Sequence, residues 1–196
     1  MNGEEIFQPE LLTGERILWT GQPNPRIIFA PYDFFMVPFS LLWGGFALFW
    51  EAGVLGLIPG AMKNGGNAPF IFPLFGSVFV AVGLYFIIGR FFYKVWNKKR
   101  TWYALTNHRA IIISSGRSKN VQTANLDSLA GINKTEGTNG HGSILFGSIG
   151  FPMSAYQNTG MDFFTARYAQ AVPAFFDIAD VNDVYRLACE QRKAKS

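Results

Sequence analysis

Cysteine is almost absent. Cys189 is the only one, which excludes an internal disulfide and any cysteine-built zinc site. Histidine is nearly as scarce: His108 and His141 have no neighbouring His, Cys or carboxylate at metal-ligand spacing. Charged residues make up 15% of the chain, where about a quarter is usual for soluble domains. Acids are missing from one long stretch, since Asp127 is the only one between Lys94 and Lys134. The chain does not open on a short apolar core followed by a small-residue cleavage site, so no cleavable leader is expected. Ser114-Ser115-Gly116 lacks the flanking pattern of a nucleophile elbow. The glycine-rich stretch from Gly137 to Gly142 precedes a strand, so it has no helix N-terminus to cradle phosphate. The expectation is a non-enzyme with no metal and no cofactor.

Apolar residues are abundant. They form 49% of the 196 residues, and phenylalanine stands out with 20 copies, most of them between Phe29 and Phe92. Two runs, about 34–59 and 70–93, are each long enough to cross a bilayer. The first carries a single charge, Glu51. At ~1.5 Å per helical residue, Glu51 falls near the far interface and reads as an interfacial residue rather than a proton carrier. Arg90 lies near the near-side end of the second run, where its long stem can snorkel to the headgroups. Gly76 and Gly83 are seven apart on the second run, as Gly45 and Ala52 are on the first. Small residues at that spacing let helices approach closely, which predicts a tight antiparallel hairpin; glycine is also simply common in membrane helices.

The second run ends in a basic, aromatic collar of Tyr93, Lys94, Trp96, Lys98, Lys99 and Arg100. Tyr and Trp favour the membrane–water boundary, and Lys and Arg accumulate on the cytoplasmic side of short loops. The inter-run loop holds one lysine against four cations in the collar, so both termini are expected in the cytoplasm. Anionic lipid and topology explain this basicity better than nucleic acid does.

Beyond the collar the period changes. Segments 101–105, 110–114, 121–126, 130–135 and 143–146 read as strands, with Thr106-Asn107-His108-Arg109 as a turn in which Asn107 tolerates positive φ. Upstream, Ile17-Leu18-Trp19 reads as a short strand that Pro23 and Pro25 cut off. Asp180 can cap a closing helix, about 181–192, whose apolar positions Val181, Val184, Tyr185 and Ala188 share one face. Arg109, Arg117 and Lys119 form a candidate basic rim for anionic lipid or a partner. The resulting division is an N-terminal segment 1–32, a transmembrane hairpin 33–93, and a cytoplasmic β-rich domain 94–196. Segment 151–172 shows no clear period.

Four stretches resemble bacterial two-span membrane proteins with a cytoplasmic pleckstrin-homology-like domain. They are Gly14-Glu-Arg-Ile-Leu-Trp-Thr-Gly-Gln-Pro23, Tyr103-Ala-Leu-Thr-Asn-His-Arg109, Gly140-His-Gly-Ser-Ile-Leu-Phe-Gly147, and the run from Pro173 to Leu187. The resemblance implies an α+β membrane protein: a helical hairpin followed by an antiparallel β-barrel or sandwich closed by a C-terminal helix. With no catalytic constellation and a hairpin that confines the domain beside other membrane proteins, the expected role is that of a non-catalytic scaffold or accessory subunit in the bacterial inner membrane. The expected partners are the bilayer and another integral membrane protein, with anionic headgroups bound at the basic rim as the alternative.

Overall fold

The computed structural model describes residues 3–30, 32–60, 68–116, 118–137, 140–148, 158–161 and 172–194. It is an α+β protein of two compact units, one formed by 1–28 with 94–196 and the other by 29–93.

The first unit carries two antiparallel sheets. Strands β1 (Ile17–Gly21), β2 (Thr101–Thr106), β3 (Arg109–Ser115) and β4 (Lys119–Asn125) pair in that order. β5 (Ile132–Glu136), β6 (Gly142–Phe146) and β7 (Ala174–Ile178) form the second sheet. Among the described residues the sheets stay separate and do not close into a barrel. The N-terminal segment, set apart in the sequence division, belongs to this unit: β1 pairs with β2 from Ile17↔Thr106 to Gly21↔Tyr103, with a bulge between Ile17 and Trp19.

Thr106 builds the β2–β3 turn. Its Oγ1 accepts the N–H groups of His108 and Arg109 at 3.1 and 2.9 Å, a side-chain substitute for turn hydrogen bonds. Asn107 is not among the residues with positive φ; it instead exchanges two bonds with the Arg16 backbone. The final helix of this unit, Val181–Lys193, follows Asp180, which takes a left-handed φ of 53° and makes no side-chain cap. The backbone carbonyl of Asp180 receives the Asp183 and Val184 N–H groups.

Two cores sandwich the four-stranded sheet. Tyr103, Leu105, Ile112, Phe146, Phe175, Val181 and Val184 fill the larger one. Phe175 stacks on Tyr103 and meets Phe146 edge-on, each at 4.8 Å between ring centres, a geometry that adds to the area term. β2 and β3 are apolar on both faces, so alternate residues Ala104, Ile111 and Ile113 build a second core around Phe7.

The other unit is a helical hairpin. Here α1 is Asp33–Val54 and α2 is Ile71–Leu84; a π turn over Tyr85–Gly89 leads into α3, Arg90–Lys98, making Val181–Lys193 α4. The helical stretches 33–54 and 71–98 are long and apolar enough to cross a membrane. Residues 61–67 of the inter-run loop, with its lysine, lie outside the described residues.

Candidate interaction site

Aromatic and aliphatic side chains cover the outside of the hairpin. Phe34, Phe35, Leu42, Phe46, Phe49, Phe70, Phe75 and Val78 are all exposed, Phe34 and Phe70 at 79%. Single exposed apolar residues need no explanation, but a continuous apolar surface on two membrane-length helices does. A cleft of about 300 Å³ lies on it, lined by Trp43, Phe46, Ala47, Trp50, Phe75 and Phe79.

The helices touch through Gly44 and Gly83. A Cβ on Gly83 would come within 2.9 Å of the Gly44 backbone, and one on Gly44 would meet the Ile87 side chain at 2.5 Å. Gly76 receives Glu51 and the Trp50 ring. Gly45 faces open space, since a Cβ added there would meet nothing within 4 Å, and Ala52 is half-buried. The small-residue spacing in the sequence therefore placed the contact one residue late on α1. Ser40, Gly44, Ala47 and Val54 are among the buried positions, and Gly45 is rotated ~100° from Gly44. Glu51, expected at the far membrane interface, has one carboxylate oxygen buried without a hydrogen-bond partner.

Asp33 and Arg90 close the base of the hairpin. Their side chains are 2% and 1% exposed and 2.5 Å apart. Asp33 also accepts the Ala30 N–H, while Arg90 donates to Phe86 O and lies 4.4 Å above the Phe91 ring. Neither partner could be assigned from sequence, because 57 residues separate them.

Within the collar the residues have different surroundings. Lys94 and Lys98 are buried. Pro23 and Pro25 keep the segment before α1 out of regular structure, leaving carbonyls without ladder donors. Lys94 donates to Ile28 O at 2.7 Å; Lys98 donates to Ile27 O, Asn24 O and the Asp177 carboxylate at 2.6, 3.3 and 2.5 Å. Both ammonium groups are turned inward, to backbone carbonyls and, for Lys98, also to a carboxylate. Trp96, Lys99 and Arg100 are exposed, with Arg100 4.3 Å over the Trp96 ring, and Tyr93 is half-buried.

The basic rim is also occupied. Arg109 pairs with Glu15 at 3.0 Å and donates to Glu10 O at 2.7 Å. Lys119 pairs with Glu10 at 2.6 Å, and Arg117 lies outside the described residues. Burial pushes the Glu15 carboxyl up, but hydrogen bonds from Arg109, the Leu12 N–H and Thr106, with the Arg109 charge, outweigh it and hold it below the ordinary carboxylate range. Sequence reasoning missed Phe7, Glu10 and Glu15 as partners of this rim. The one available signal was the acidity of the N-terminus against the basicity beyond Lys94.

No family model, curated protein or solved structure matches this chain. Among the described residues, no three His, Cys, Asp or Glu side chains are grouped to hold a metal ion.

Proposed function

We propose that the chain is a non-catalytic, membrane-anchored interaction module, an accessory or assembly subunit that docks onto another integral membrane protein. Its hairpin crosses the bacterial inner membrane with both termini in the cytoplasm. Its β unit is pleckstrin-homology-like, a reading supported by four strands, then three strands, then a closing helix in chain order.

The observation that carries the proposal is the aromatic cleft between α1 and α2, open on a hairpin whose remaining outer surface is apolar. Lipid tails are as apolar as such a surface, so association within a bilayer comes from packing and hydrogen bonding. A preformed cleft gives a neighbouring helix packing that a smooth surface does not. Anchoring also confines both partners to one membrane, raising their effective concentration without new contacts. Recognition of anionic headgroups by Arg109 and Lys119 ranks second, because Glu15 and Glu10 already neutralise these cations.

Purification from native membranes in mild detergent, with crosslinking and mass spectrometry, tests this reading. A stoichiometric integral membrane partner is the expected result. Recovery of the chain with anionic lipid alone would overturn it in favour of headgroup binding.

A further inference from the structure

The second core of the β unit is built in an unusual way. Its sheet face consists of Ala104, Ile111 and Ile113, flanked by Ile17, Trp102 and Val121, and its cover is the segment Gly3–Leu12. Phe7 of that segment is fully buried, with Ile6 and Leu11 packed beside it. Gly3 lies against the Trp102 ring, where a Cβ would sit 3.0 Å away.

The cover is not woven into the sheet. Its backbone bonds are short-range turns: Phe7 N–H to Glu4 O, Glu10 N–H to Phe7 O, and Leu11 N–H to Gln8 O. Side chains reach it from the sheet, Arg109 to the Glu10 carbonyl and Lys119 to the Glu10 carboxylate. Behind it comes Gly14, with φ +81° and open space around it, and then Glu15, which stays tied to Thr106 and Arg109. Residues 3–12 can therefore swing about Gly14 without breaking a strand ladder or the bonds from Glu15 to Thr106 and Arg109, giving up only the two bonds that join Leu12 to Glu15 across the hinge and the two from Arg109 and Lys119 to Glu10. Lifting them would leave an apolar slot on β2 and β3, with Lys119 freed at its rim and Arg109 still paired with Glu15.

We propose that this outer sheet face is a docking surface for an acidic segment with an aromatic anchor on the partner protein, and that residues 3–12 occupy it as a built-in competitor. The charge complementarity is explicit: Glu10 satisfies Lys119, Phe7 fills the slot, and Glu4 and Glu5 add further negative charge to the segment. A partner segment of the same chemistry gains the same contacts when the strap opens. The inference rests on the docking role proposed above and names the chemistry of one partner contact.

The test uses the full chain in micelles of an uncharged detergent. The probe is a fluorescein-labelled peptide of residues 3–12, followed by anisotropy. Phe7→Ala weakens the strap and leaves the receiving face intact. A competitor that must be displaced lowers apparent affinity by the open fraction, so Phe7→Ala is expected to tighten peptide binding on the order of tenfold or more. The same peptide carrying Phe7→Ala should not bind, and Lys119→Glu in the Phe7→Ala chain should weaken binding. If Phe7→Ala does not fold, Glu10→Ala loosens the strap from outside the core and should shift affinity in the same direction. Equal peptide affinity in wild-type and strap-weakened chains, or indifference to the peptide's aromatic residue, overturns the proposal. Failure of exchange while a membrane partner still co-purifies overturns this inference alone. Exchange without a membrane partner supports it and removes only the assembly reading.

Discussion

Replacing Asp33 with Asn removes one charge from the base of the hairpin while keeping the side-chain shape. In the native chain one carboxylate serves two donors, the Ala30 N–H at 2.6 Å and the Arg90 guanidinium at 2.5 Å. An amide has a single acceptor oxygen and cannot serve both. Arg90, 1% exposed, would then hold an uncompensated charge in a site that water does not reach. Breaking a buried pair from one side typically costs about 3–5 kcal/mol, whereas replacing both partners by apolar groups is often near neutral. Arg90→Met loses the bond to Phe86 O and the contact with the Phe91 ring, so the double variant should not be fully neutral. Asp33→Asn should therefore lower stability by about 3 kcal/mol or more. Asp33→Leu combined with Arg90→Met should cost less than the two single changes added together, by about 1–3 kcal/mol. Reversible unfolding in mixed micelles, read by tryptophan fluorescence in a background where Trp19, Trp96 and Trp102 are replaced by Phe so that Trp43 and Trp50 report, measures both. An Asp33→Asn loss under about 1 kcal/mol, or strict additivity in the cycle, would refute the claim that this pair clasps the hairpin.

Other outcomes follow from the same geometry. Gly83→Leu must push against the Gly44 backbone at 2.9 Å and should destabilise the hairpin by about 1–3 kcal/mol, while Gly45→Leu, facing open space, should be within about 0.5 kcal/mol of wild type in the same assay. Lys98→Met leaves the Asp177 carboxylate, 14% exposed, without its cation, and a loss of about 2–4 kcal/mol is expected in thermal unfolding of the chain. Because the folded Glu15 pKa is lowered, its contribution is present above the unfolded carboxylate value, about 4.3, and disappears as pH falls through the folded value. Glu15→Gln should flatten that part of the acid-unfolding curve, and an unchanged curve would show that other carboxylates govern it.

Local pattern makes much of the fold readable. The strands near 101–105, 110–114 and 143–146 are present as β2, β3 and β6 because they combine β-branched and aromatic residues between turns. The closing helix follows from its apolar spacing. β7, Ala174–Ile178, is hard to separate by pattern from the helix start that follows it, since Asp177 within the strand and Asp180 in the connection both take left-handed φ without being Gly. What the collar's lysines meet is set by tertiary context rather than by composition. Lys94 and Lys98 carry the residue types of a membrane boundary, yet they turn to backbone carbonyls left open after Pro23 and Pro25. The partners of the rim are hidden for a related reason: the chain returns Glu15 and Glu10 to Arg109 and Lys119 from about 100 residues away. Sequence spacing shows one face of one element, and these partners lie on another.

On the proposed docking role, the hairpin cleft receives a neighbouring membrane helix. Photo-crosslinking from a benzophenone side chain at Phe46, compared with one at Phe34, tests this in native membranes. Phe46 lines the cleft, whereas Phe34 is among the most exposed residues of α1. One discrete protein adduct is expected from Phe46, with an integral membrane protein, and chiefly lipid adducts from Phe34. Lipid adducts alone from both positions would contradict the claim.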